Sequence, residues 1–141
     1  MILDVHTPAS PEYSRRIANV TPRTLRNARV WAHGTAADLG CDPDPIELAI
    51  SELVTNVARY AAGPAQVRIA LIAAGIEVSC TDRHPETAAD VRPAEDMFGD
   101  DDATTHRGLF MLALMATGGV QVQPLVGRKR VLVVLPIGGA E

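Results

Sequence analysis

A carboxylate, a carboxamide and a guanidinium fall at helical spacing in Glu52, Asn56 and Arg59, within the run Ser51-Glu52-Leu53-Val54-Thr55-Asn56-Val57-Ala58-Arg59-Tyr60. At about 100° per residue, a helix through this run sets Asn56 roughly 40° to one side of Glu52 and Arg59 roughly 20° to the other. The polar groups then form one row beside an apolar face of Ile46, Ala49, Ile50, Leu53, Val57 and Ala61. An Asn carbonyl oxygen is a ligand Mg2+ accepts, a Glu one turn away can take a proton, and a guanidinium donates charge-assisted hydrogen bonds to phosphate. The row suits a ligand. The same residues also describe a solvated helix face with an i, i+4 hydrogen bond contributing ~0.2–0.5 kcal/mol.

Other elements must hold that row in place. Residues 13–18 read as a short strand, and Thr21-Pro22 as an N-cap followed by proline at the first helical position. Leu25, Ala28, Ala32, Ala36 and Leu39 recur at helical spacing up to Gly40, which is placed as a left-handed cap. Asp44 and Pro45 open the motif helix in the same way, and Gly63-Pro64 close it. Residues 66–73 and 76–81 alternate apolar with polar across Ala74-Gly75, predicting a hairpin with one buried face.

Between residues 82 and 105 the periodicity vanishes, and the segment carries Pro85, Pro93, Gly99 and the run Asp100-Asp101-Asp102. A loop of that length in a compact domain reads as a lid or an insert. Residues 107–116 predict a third helix ending before Gly118-Gly119; 120–126 and 131–135 predict closing strands joined by Gly127-Arg128-Lys129. The order β, α, α, β, β, lid, α, β, β implies an α+β two-layer sandwich, with helices on one face of a mixed, mainly antiparallel sheet.

The 141 residues, 47% of them hydrophobic, suit one domain spanning 1–141. Thirteen basic and seventeen acidic side chains give a net charge of −4 without a basic block, which argues against general nucleic-acid binding. No run is long and apolar enough to span a bilayer and no leader is evident, so the expectation is a cytoplasmic protein without a membrane partner. Cys41 and Cys80 lack CxxC spacing; Cys80 reads as a core residue and Cys41 as a turn residue. His84 and His106 flank the irregular loop without metal-ligand spacing.

The Glu-Asn-basic-Tyr spacing of Glu52, Asn56, Arg59 and Tyr60 resembles the N-box of the GHKL (histidine-kinase-like) ATPases. The order of a long helix, an acidic Pro-containing turn (Cys41-Asp42-Pro43-Asp44-Pro45) and "SELVTN" is most similar to small anti-sigma-factor serine kinases. The resemblance runs from about residue 13 to 136. It implies a Bergerat-type ATP-binding fold in which Asn56 holds Mg2+ against the phosphates of ATP, Glu52 is the base, and Arg59 and Tyr60 border the nucleotide. It further implies that Asp82, ending Val78-Ser79-Cys80-Thr81-Asp82, accepts from the adenine amino group, and that Arg107, Gly108 and Leu109 begin a helix whose N–H groups face phosphate.

The chain departs from that family pattern in three places. Glycines that usually follow the adenine-binding Asp are replaced by Arg83-His84-Pro85-Glu86, and the second glycine-rich element is reduced to His106-Arg107-Gly108-Leu109. A Gly-x-Lys-Thr-like turn becomes Gly127-Arg128-Lys129-Arg130, so a long cation replaces a hydroxyl usually found beside the Asp. The resemblance implies an ATP-binding regulator that phosphorylates a Ser or Thr of a protein partner, such as a sigma factor or an anti-sigma antagonist, and that is often a homodimer. The lost glycines fit an alternative: a nucleotide-degenerate module of the same fold that sequesters a transcription regulator without catalysis.

Overall fold

The computed structural model describes residues 8–60, 64–82 and 115–136. Its elements are β1 (Pro8–Ile17), α1 (Pro22–Leu39), α2 (Pro43–Tyr60), β2 (Ala65–Ile72), β3 (Gly75–Asp82), β4 (Thr117–Leu125) and β5 (Arg128–Leu135). The strands form one sheet in the order β1-β2-β3-β5-β4, and every pairing among them is antiparallel. The α+β architecture is as expected from the sequence. Of the expected third helix only Met115, helical, and Ala116, in a bend, are described; the rest of that helix and the expected lid beyond Asp82 lie outside the described residues.

Local chemistry explains the helix ends. Thr21 Oγ1 accepts from the Thr24 N–H at 3.1 Å while Thr24 Oγ1 accepts from the Thr21 N–H at 2.8 Å, a reciprocal cap ahead of Pro22. At the other end Gly40 (φ 71°) turns left-handed, and the N–H of Cys41 reaches the Ala36 carbonyl at 2.9 Å. The motif helix starts two residues earlier than expected, because the Asp42 carboxylate takes the Asp44 N–H at 3.1 Å. Pro43 and Pro45 then both fall in the first turn, where no N–H has an intrahelical partner to lose.

Small side chains on α1 (Ala28, Ala32, Ala36) let it lie close to α2, and both helices cover Val67, Ile69, Ile76, Val78, Cys80, Val131 and Val133. His33 Nδ1 and Glu47 Oε2, 2.7 Å apart, tie the two helices at their exposed rim.

The hairpin was expected to bury one face, and the structure buries both. Ala70, Ile72, Leu132 and Val134 form a second apolar cluster on the face away from the helices, where Glu77 and Ser79 are also buried. Burial of Glu77 is made tolerable by Arg68, whose Nη1 donates to it at 2.6 Å. A further difference lies in β4, which begins at Thr117 instead of residue 120: the register slips between Thr117 and Gln121, so Gly118-Gly119 stay inside the strand. Arg128, Lys129 and Arg130 likewise belong to β5, the turn being Val126-Gly127.

Candidate functional site

Glu52 and Asn56 are half-buried on α2, one turn apart, beside the fully buried Leu53, Val54 and Val57. Arg59 and Tyr60 form the end of the same helix, but their side chains lie outside the described part, as do Arg107, Gly108 and Leu109.

The direction of α2 follows from a 250 Å³ apolar cavity at its start, where Pro45 and Ile46 meet Ile76, Leu135 and Met115. Ile76 is the second residue of β3 and Leu135 closes β5, so α2 begins over that end of the sheet. Its 18 residues span about 27 Å, close to the length of an eight-residue strand. The turns carrying Asn56 and Arg59 thus lead toward the other end, where β3 finishes at Asp82.

Asp82 is 2% exposed and lies across the ladder from Ala65 on one side and Lys129 on the other. It shares strand parity with Ile76, Val78 and Cys80, which places it on the helix-covered face. There Lys129 Nζ stands 3.9 Å from Asp82 Oδ2, and Lys129 is itself 2% exposed.

This corrects the sequence reading, in which the fourth residue of the Gly127 turn was to supply the cation. Arg130 has the opposite parity and sits on the far face, its Nε 3.4 Å from Thr81 Oγ1 and its Nη1 3.4 Å from Gln123 Oε1. The signal was available: residues 131, 133 and 135 form the core stripe of β5, and only 129 continues it.

Cys80 borders the pair. Burial pushes its thiol up to about 12, with the Asp82 charge adding to the rise and Lys129 opposing it. On the opposite side of the strand ends, Arg16, Gln66, Thr81, Asp82 and Arg128 line a cavity of about 120 Å³. The His33–Glu47 contact is far from this end of the fold and was not foreseen, since nothing in the spacing links residues on separate helices. Among the described residues, no three or more His, Cys, Asp or Glu side chains gather as a metal site.

Comparison with known proteins bears on fold and family. No curated protein matches the chain. Among solved structures, the RsbU and RsbW domains of Rv1364c from Mycobacterium tuberculosis superpose with a TM-score of 0.62 at 18% identity, over 91% of this chain and 33% of that one. A chain of the SiaB-SiaC complex from Pseudomonas aeruginosa gives 0.62 at 12% identity, over 87% and 88% of the two chains. Histidine kinase AdeS of Acinetobacter baumannii gives 0.52 at 13%, over 90% and 68%.

At these identities the likeness is one of fold, and this chain spans only a third of the first of those chains. The sequence profile of the histidine kinase-like ATPase domain matches residues 18–122, from the entry to α1 into β4. By that match, which takes in both α2 and Asp82, the chain belongs to the histidine kinase-like ATPase family.

Proposed function

We propose that this chain is an ATP-binding regulator that transfers the γ-phosphoryl group of ATP to a Ser or Thr hydroxyl of a protein partner, in the manner of the anti-sigma-factor serine kinases it resembles. The observation that carries the reading is the Glu52–Asn56 pair, half-buried on a helix whose apolar face is fully engaged with the sheet. Polar side chains of this type one turn apart, at the border of a core and not in open solvent, suit a ligand that brings its own charge.

Asn56 offers a hard carbonyl oxygen, the kind of donor Mg2+ takes alongside substrate phosphates and water. Bound Mg2+ would supply charge neutralisation to the phosphates. Glu52 takes the proton of the acceptor hydroxyl as its oxygen bonds to the γ-phosphorus; the bond to the β–γ bridging oxygen breaks, and ADP leaves. Arg59, with Arg107 and the helix start at Gly108-Leu109, donates to phosphate oxygens, Tyr60 borders the nucleotide, and the segment from 82 to 105 closes over it. The acceptor is a protein, such as a sigma factor or its antagonist, docked beside the nucleotide; a homodimer and a cytoplasmic location belong to the same reading.

One observation favours a second reading. The Asp82 carboxylate already has a buried ammonium beside it, which fits a nucleotide-degenerate module that binds a transcription regulator without catalysis.

Thermal unfolding with and without Mg2+-ATP separates the two. A ligand at a hundred times its Kd adds about 2.7 kcal/mol, and for a domain of this size each kcal/mol raises the midpoint by roughly 3–5 °C. A rise in the wild type that is lost in Asn56→Ala is expected; no rise at millimolar nucleotide leaves the non-catalytic module.

A further inference from the structure

We infer that Lys129 is an internal competitor for Asp82, the carboxylate that the family resemblance assigns to the adenine amino group, so that this chain holds a nucleotide mainly by its phosphates and distinguishes poorly between purine bases. The inference rests on the nucleotide reading above and deepens it.

Lys129 is the bulkiest fully buried side chain among the described residues, and it lies on the sheet face that α2 covers. Its Nζ stands 3.9 Å from Asp82 Oδ2 with both side chains 2% exposed or less. Cys80 and Val131, opposite each other on β3 and β5, precede Asp82 and follow Lys129, and both are buried. In such surroundings opposite charges hold each other firmly, because parting them leaves two desolvated ions without their counter-charge. The amino group of a purine is a neutral donor and makes a weaker bond to a carboxylate than a charged one does. An arriving base therefore meets the Lys129 charge 3.9 Å from Asp82 Oδ2 and contends with it for the carboxylate's charge and for the volume beside it. Asn56 belongs to α2 and not to this ladder pair, so the phosphate contacts proposed for it do not draw on the Asp82 carboxylate.

Affinities for Mg2+-ATP, Mg2+-GTP and inorganic tripolyphosphate, measured by titration calorimetry, test this in the wild type, in Lys129→Thr and in Lys129→Arg. The wild type is expected to bind ATP and GTP within about tenfold of each other. Lys129→Thr, which removes the charge and the long stem, should raise the ATP:GTP ratio by about tenfold or more while leaving tripolyphosphate affinity unchanged. Lys129→Arg, which keeps a cation, should retain the wild-type ratio. An unchanged ratio in Lys129→Thr overturns the inference. The wild-type ratio needs no variant and decides the matter if Lys129→Thr does not fold: a preference for ATP above about tenfold overturns the inference while the nucleotide reading stands. Failure of all three ligands to bind the wild type overturns both.

Discussion

The Arg68 guanidinium donates through Nη1 to the Glu77 carboxylate at 2.6 Å, on the sheet face turned away from both helices. The Glu77 side chain is 3% exposed, and Arg68 extends outward to a second, exposed carboxylate, Glu12, at 3.1 Å. These two contacts differ in worth because water competes for one and not for the other. Withdrawing the cation from a buried carboxylate costs about 3 kcal/mol or more, whereas an exposed ion pair contributes ~0–1 kcal/mol. Arg68→Ala should therefore lower the midpoint of thermal unfolding by roughly 10 °C, and Glu12→Ala should shift it little. Equal effects from the two substitutions would contradict this account of the face.

The two thiols should behave differently. In the folded chain burial holds the Cys80 thiol protonated up to about 12, above the ordinary 9.0, while Cys41 is only partly covered. A folded-state value raised above the unfolded one means that the stabilising contribution of Cys80 is complete below pH 9.0 and is lost as pH rises toward about 12. At mildly alkaline pH a thiol-specific reagent should modify Cys41 in the folded protein and reach Cys80 only after denaturant is added. Rapid reaction of both thiols without denaturant would show that β3 is more accessible than its packing indicates.

How much of this was legible in the sequence depended on the range of the interaction involved. Thr21-Pro22 and Gly40 mark the ends of α1 because caps are settled within four residues. The start of α2 was misplaced by two residues because Asp42 and Asp44 each precede a proline, and only geometry tells which carboxylate turns back on the chain. The Glu52–Asn56 row was readable from helical period alone. Burial of Glu77 was not, since alternation assigns a polar residue to the outer face whether or not that face is covered, and its partner Arg68 is set by hairpin pairing. The Asp82–Lys129 ladder pair needed the register of β3 on β5, between strands separated by residues 83–127. Parity along β5 could have selected Lys129 over Arg130; the motif resemblance pointed to the wrong one of the two.

Gly75 is a place where a single atom decides stability. Its φ of 148° is one that other residues rarely adopt, and a Cβ there would collide with the Leu135 carbonyl oxygen on β5. Gly75→Ala should destabilise by about 2–3 kcal/mol, combining backbone strain with displacement of the neighbouring strand. Ala74→Gly, one residue earlier in the same turn at an exposed position, is the control and should change stability by less than about 1 kcal/mol. Urea unfolding of the two variants checks the contrast, and a tolerated Gly75→Ala would mean that β3 and β5 can separate at this end without loss.

Binding and chemistry can be separated at the α2 row, because its two polar members have different proposed duties. Both side chains are half-buried at the margin of the core, so Asn56→Ala and the shape-preserving Glu52→Gln should each alter the stability of the nucleotide-free chain by roughly 1 kcal/mol or less. Asn56→Ala removes the oxygen assigned to Mg2+ and should abolish the thermal shift produced by Mg2+-ATP. Glu52→Gln keeps a side chain of the same size but cannot accept a proton, so the shift should persist. Phosphoryl transfer, followed as ADP release in the presence of a protein acceptor, should instead fall by about 10²–10⁴. Loss of the shift in both variants would move Glu52 from proton transfer to ligand holding. Undiminished turnover in Glu52→Gln would remove it from the chemistry altogether and leave positioning by α2 as the site's contribution.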